Sequence, residues 1–233
     1  MFAKQCLKNK KAIYGIKGAS VVNSTQTNFT NGTAFMIAPG YLMTVAHVVH
    51  IENDINKAVH SHFEVINAED IGQKMEKAVF VAEDTIRDVA ILKIENAKHT
   101  DCLVFDNQII SMGTPCGSLG FPLSGIIIDA QKRVNFNLTL RFQGSNLSSF
   151  NTVNESGRKM SYYETDALMY RGSSGCPCFT ENGKVFGMQS RTAADQDQPG
   201  SLKSEASRLS ISILVPSEDM IKFAEKNIPG FHN

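Results

Sequence analysis

Ser174 stands in Gly172-Ser173-Ser174-Gly175-Cys176-Pro177, where glycines on both sides let the backbone bend and leave the hydroxyl clear of the chain. In such a turn the N–H groups of Gly172 and Ser174 converge on one point, with Ser173 supporting the bend, and a developing oxyanion there would be stabilised. A serine hydroxyl is a poor nucleophile near neutral pH and needs a base beside it. His47, in Thr44-Val45-Ala46-His47-Val48-Val49, stands at the end of a buried apolar strand, where an imidazole is costly unless it has partners. Asp88 opens a second apolar run, Asp88-Val89-Ala90-Ile91-Leu92-Lys93-Ile94. Taken singly, the serine turn also fits an ordinary loop, the histidine a satisfied core residue and the aspartate a turn residue. Together they supply a nucleophile, a base and a group to orient the base, which are the parts of an acyl-transfer site.

Positioning these residues calls for a mostly extended chain. Gly32 to Met43 predicts two short strands around Pro39-Gly40, the second delivering His47. Further strands are expected at Val79–Ala82, Val89–Ile94, Ile109–Leu119, Gly125–Ala130, Val134–Phe142, Tyr162–Thr165, Val185–Ser190 and Leu209–Val215. Polar Glu95–Asp106 is expected to cross between two halves, and Gly144–Lys159 and Arg191–Arg208 to form long loops. Near the end, Pro216-Ser217-Glu218-Asp219 suggests a serine cap with acids in a first helical turn. The face of Met220, Ile221, Phe223 and Ala224 then continues until Pro229-Gly230.

The order His47, Asp88, Ser174 is that of the chymotrypsin-type triad; subtilisin-type and α/β-hydrolase enzymes use other orders. Further anchors accompany it: Gly32-Thr33-Ala34-Phe35, Ser118-Leu119-Gly120-Phe121-Pro122, Thr165-Asp166-Ala167, Gly183-Lys184-Val185-Phe186-Gly187 and Leu214-Val215-Pro216-Ser217. Over roughly residues 19 to 225 the chain thus resembles the trypsin-like serine endopeptidases, most closely the protease domain of the HtrA-type branch. The resemblance implies an all-β fold: two six-stranded antiparallel Greek-key barrels of the chymotrypsin type with a C-terminal α-helix. One peptidase domain would fill 1–233, with barrels over about 19–105 and 106–215 and the helix over 216–228. It also implies a His47-Asp88-Ser174 triad, an oxyanion hole at Gly172, Ser173 and Ser174, a protein or peptide substrate, and no metal or organic cofactor.

Departures from the digestive enzymes carry information. Trypsin-like zymogens place before the nucleophile an aspartate that pairs with a newly cut N-terminus; Ser173 stands here and cannot. Restraint must then come from elsewhere, and the expectation is a serine loop, or one of the two long loops, misplaced until substrate or a regulatory partner protein binds. The position of trypsin's specificity aspartate is Leu168, followed by Met169. Relatives that read glutamate or glutamine carry a histidine where Gln189 stands. By this alignment Leu168, Met169, Ser190, Arg191, Thr192 and Ser210 wall the substrate pocket, and an apolar residue is expected before the scissile bond. Arg171 and Arg191 would instead favour acidic neighbours. A protease fold that has lost its chemistry but kept a peptide groove is the alternative, and esterase chemistry on the same triad a third.

Composition bounds the partners and the compartment. The 233 residues suit one two-barrel domain, and 23 basic against 23 acidic residues give no field for nucleic acid or a membrane surface. Apolar runs fall short of a membrane span, and Met1-Phe2-Ala3 passes straight into Lys4 and Gln5 without the apolar core of a secretory signal. Lys8, Lys10 and Lys11 are expected in a solvated tail. Of five cysteines, Cys176 and Cys178 flank Pro177 too closely for an unstrained bridge. Reduced thiols and a cytoplasmic location are the expectation, with export as an effector left open.

Overall fold

Short apolar stretches closed by glycine and proline turns fold here as strands, and the two large sheets close on themselves, which removes their edges. A computed structural model describes residues 2–23, 26–72, 75–128, 134–155, 157–194 and 208–232. The first six strands are β1 (Ile13–Asn23), β2 (Gln26–Ala38), β3 (Tyr41–Thr44), β4 (His62–Asn67), β5 (Glu76–Asp84) and β6 (Val89–Ile94). They close an antiparallel barrel in the order β1-β2-β3-β6-β5-β4. Next come β7 (Pro115–Gly120), β8 (Gly125–Ile128), β9 (Val134–Asn137), β10 (Arg141–Glu155), β11 (Arg158–Thr165), β12 (Pro177–Thr180), β13 (Val185–Ala194) and β14 (Arg208–Pro216). Six of these close a second barrel in the order β10-β11-β14-β13-β12-β7. In each barrel a meander of three strands lies beside the strand that precedes it (β3 next to β6, β11 next to β14), which is Greek-key topology. The helices are α1 (Ala3–Asn9), α2 (Ala46–Val49) and α3 (Ser217–Asn227).

The apolar core of the first barrel, with Ile16, Phe35, Met43 and Leu92, runs on without a break to Phe179, Val185, Met188 and Val215 of the second. Cys116, Leu147, Tyr163, Cys178, Phe186 and Leu214 form a smaller core inside the second barrel. One shared core fixes the two barrels against each other, so a site between them is held rigidly.

Several expectations change. The first barrel begins at Ile13, six residues before the expected boundary. The stretch before it is no solvated tail. Phe2 packs on Phe142 and Phe179, Asn9 Nδ2 donates to the Gly183 carbonyl at 3.1 Å, and Lys10 pairs with Glu69 at 2.7 Å. Helix α1 therefore straps the second barrel before the chain enters the first. The described part of Gly144–Lys159 belongs to two long paired strands, β10 and β11, in which Ser and Asn take cross-strand partners (Asn151↔Tyr162, Thr152↔Ser161). Residues 125–128 pair with β9 in a separate two-stranded sheet, while Ala130 lies outside the described residues. Ile109 is 73% exposed and precedes β7. Ser217 donates to the Asp106 carbonyl at 2.5 Å and makes no cap bond to α3, whose N-cap is Pro216. Of Arg191–Arg208, residues 191–194 continue β13 and Arg208 opens β14, and the stretch between lies outside the described residues.

Candidate active site

Strands β3 and β6 pair with Met43 opposite Ile91 and Thr44 opposite Ala90, so the end of one lies beside the start of the other. His47 follows β3 in α2, and Asp88 immediately precedes β6. Asp88 sits at φ 56°, a left-handed conformation that aspartate tolerates and that turns its carboxylate back over α2. It accepts from the His47 backbone N–H at 2.9 Å and from Nδ1 at 2.9 Å to Oδ2 and 3.1 Å to Oδ1. A carboxylate only accepts, so it fixes the ring proton on Nδ1 and leaves Nε2 to accept from the Ser174 hydroxyl at 2.9 Å. Ser190 Oγ donates to Asp88 Oδ2 at 2.5 Å. Burial pushes the Asp88 carboxyl up, but the bonds from His47 and Ser190 outweigh it and hold the group below the ordinary aspartate value.

The first barrel also holds the serine turn. Thr33 on β2 donates through its hydroxyl to the Gly172 carbonyl at 2.9 Å, its N–H donates to the Ser174 carbonyl at 2.9 Å, and its oxygen accepts from Phe121 N–H at 2.9 Å. Gly172 (φ 91°) and Gly175 (φ 87°) both need glycine's freedom. A Cβ on Gly172 would lie 2.3 Å from the Phe121 carbonyl oxygen, and one on Gly175 1.9 Å from that of Thr33. The Arg171 carbonyl accepts from Leu123 N–H at 2.7 Å. In a trans peptide the N–H points opposite to the C=O, so the Gly172 N–H is aimed away from Leu123. Among the described residues neither the Gly172 nor the Ser174 N–H has an acceptor. Ser173 differs: its N–H donates to the Tyr170 carbonyl at 2.9 Å and its Oγ accepts from Tyr170 N–H at 3.1 Å. It braces the turn and has no N–H left for an oxyanion. The expected misplaced serine loop is not found; the turn is built.

Gly175→Ala is expected to lower stability by about 3 kcal/mol or more, because backbone must move around Thr33 as well as accept a strained φ. Urea denaturation would measure it; a loss under about 1 kcal/mol would mean that the turn gives way easily.

A cleft of about 420 Å³ lies over the triad. Of the expected pocket residues, Met169, Ser190 and Thr192 line it. Leu168 does not, and its carbonyl accepts from Gln143 Nε2 at 2.8 Å. Arg191 lies on the opposite face of β13, exposed, by a separate small cavity behind Asp88. Ser210 is in β14, but its side chain lies outside the description. Sequence reasoning missed Phe29, Asn31 and Asn53 on the cleft wall, the contact of Ser190 with Asp88, and Thr33 as the tie between barrels. The Gly-Thr-Ala-Phe string had marked Thr33 without giving it a task.

A family model for the trypsin-like peptidase domain matches residues 32–188, from β2 through the serine turn to β13. The chain belongs to that family. Among curated proteins, a probable periplasmic serine endoprotease, DegP-like, of Halomonas elongata is 26% identical over 161 residues, covering 69% of this chain and 29% of that one. The serine protease Do-like HtrA of Bacillus subtilis is 22% identical over 230 residues, 94% of this chain and 43% of its own. This trypsin-like domain thus spans less than half the length of these relatives. Among solved structures, the Rv3671c protease of M. tuberculosis in its active form superposes with a TM-score of 0.71 at 19% identity, over 98% of this chain and 85% of that one. Its inactive form gives 0.67 at 18% identity, covering 97% and 93%. These likenesses show the shared fold, and the family is that of the trypsin-like peptidase domains. The relatives named periplasmic do not support the cytoplasmic expectation. Among the described residues no helix is long and apolar enough to cross a membrane.

Proposed function

We propose that the chain hydrolyses peptide bonds through a His47-Asp88-Ser174 triad and an acyl-enzyme intermediate. One observation carries the reading: an unbroken relay from Asp88 through His47 to Ser174, with both links at 2.9 Å, beside two N–H groups that have no acceptor among the described residues. As Ser174 Oγ attacks a carbonyl carbon, His47 Nε2 takes its proton and Asp88 stabilises the imidazolium. The Gly172 and Ser174 N–H groups receive the oxyanion, each donor contributing on the order of 3 kcal/mol. The imidazolium then protonates the leaving amine, and water, activated by the same base, releases the acid.

The substrate is a protein or peptide whose residue before the scissile bond is neutral and medium-sized. No carboxylate lines the cleft among the described residues, and Arg171 at its rim repels a cation. Met169 supports the expected apolar contact, whereas Leu168, its other support, lies off the cleft. With the serine turn assembled, restraint rests on what the pocket admits and on any partner that covers the cleft. The five free thiols support a reducing compartment.

Fluorophosphonate treatment followed by intact-mass spectrometry tests this reading. One adduct is expected on the wild type and none on Ser174→Ala, with parallel cleavage of a proteome-derived peptide digest. An unlabelled, folded wild type would favour the non-catalytic groove.

A further inference from the structure

Gln189 is 1% exposed, and among the described residues neither end of its carboxamide, Nε2 nor Oε1, has a hydrogen-bond partner. Its backbone is fully engaged: its N–H donates to the Cys176 carbonyl at 2.9 Å, and its carbonyl accepts from Gly175 N–H at 2.8 Å. The residue is thereby locked against the back of the serine turn. A buried amide with both ends unmet is costly, and folded proteins rarely keep one without a use for it.

Strand register shows where that amide points. Residues paired directly across an antiparallel ladder face the same side. Gln189 pairs with Leu214, which belongs to the core inside the second barrel. The ladder then slips at Ser190, and two residues on Thr192 pairs with Ser212. Leu214 and Ser212 are two apart on β14, so they share a face, and so do Gln189 and Thr192. Thr192 lines the cleft over the triad. The interior face of the second barrel therefore opens into the cleft at Thr192, and Gln189 lies one step deeper on it. Around it that face is neutral: Tyr163 and Leu214 form one layer, and Thr165 and Ser212 the next, their hydroxyls bonded to each other at 2.6 Å.

We propose that the Gln189 carboxamide is the floor of the pocket for the residue before the scissile bond, and that it selects a substrate side chain ending in a carboxamide, glutamine or asparagine. The inference rests on the endopeptidase reading and deepens it. Gln189 offers one donor group and one acceptor, and a second carboxamide meets both at once in a planar pair. A substrate carboxylate would accept from Nε2 but set its charge against Oε1; an ammonium would do the reverse. An apolar side chain would leave both ends unmet.

Matched peptides that differ only in glutamine or methionine before the cleaved bond test the assignment. The wild type is expected to favour the glutamine peptide by roughly 10- to 100-fold in kcat/KM, the cost of leaving one or two buried polar groups unpaired. Gln189→Met keeps the volume and removes the amide, and the preference is expected to fall to within about threefold, chiefly by losing the glutamine peptide. Its thermal midpoint should be no lower than that of the wild type. Gln189→Glu, closer in shape, carries the same comparison should the methionine variant not fold, and a weakened preference is again expected. A wild type that takes fluorophosphonate label yet cuts both peptides alike would overturn the assignment and leave the endopeptidase reading standing; so would either variant retaining the full preference. A wild type that takes no label would bring down both.

Discussion

Ser174→Ala is expected to lower kcat by on the order of 10⁶-fold, and His47→Ala added to it should cost almost nothing more. The hydroxyl and the imidazole act as one unit: Nε2 lies 2.9 Å from Oγ and has no other task. Once the nucleophile is gone the base has nothing to deprotonate, so the two losses do not add. A thiol two residues on cannot substitute. Cys176 is 1% exposed, and burial pushes its thiol up to about 12, so it stays protonated and points to Thr33. What remains in either variant is substrate binding beside the Gly172 and Ser174 N–H groups, worth roughly 10³- to 10⁴-fold over water. Initial rates on one efficiently cut peptide, for wild type, both single variants and the double, would measure the cycle. Losses that multiplied in the double variant would mean that the two side chains work in separate steps.

The triad was legible because its signal is linear. His47 and Asp88 each lie beside an apolar run, Ser174 lies in a glycine turn, and chain order alone separates this arrangement from other hydrolase topologies. The serine turn was legible for a local reason, since two glycines around a serine state a backbone need that sequence spells out. The pocket was less so. Leu168, Met169, Ser190, Arg191, Thr192 and Ser210 came from alignment, but a ladder slip at Ser190 decides which of them face the cleft. No alternation rule foresees that slip, and it sends Arg191 outward while Thr192 turns in. Gln189 shows the same limit. Its type was noticed as a departure, but only cross-strand register and the missing partners of its amide give it meaning. The pairing of β10 with β11 was lost for another reason: Ser and Asn suggest loops, yet cross-strand pairing overrides that weak preference. Helix α1 was unreadable because its anchors, Phe142, Phe179 and Gly183, are more than a hundred residues away.

Asp88→Asn is expected to cost about 10⁴-fold in kcat with little change in KM. The carboxylate takes three hydrogen bonds, from the His47 N–H, Nδ1 and Ser190 Oγ, and an asparagine can accept all three through only one oxygen. If its amide nitrogen meets Nδ1, the ring must accept there and carry its proton on Nε2, where it can no longer take one from Ser174. Ser190→Ala is the control that separates charge from tautomer. It removes one donor and leaves the carboxylate, so its loss should stay near tenfold. Stability should follow pH in a defined direction. The folded-state value of Asp88 lies below its ordinary 3.8, so its contribution is present above that value and fades as pH falls through the lower, folded one. Asparagine does not titrate, so the stability gap between wild type and variant should narrow on acidification below about pH 4. Chemical denaturation of both proteins from pH 7 downward would show it. A gap that stayed constant into strong acid would mean that the carboxylate is held by packing and not by its bonds to His47 and Ser190.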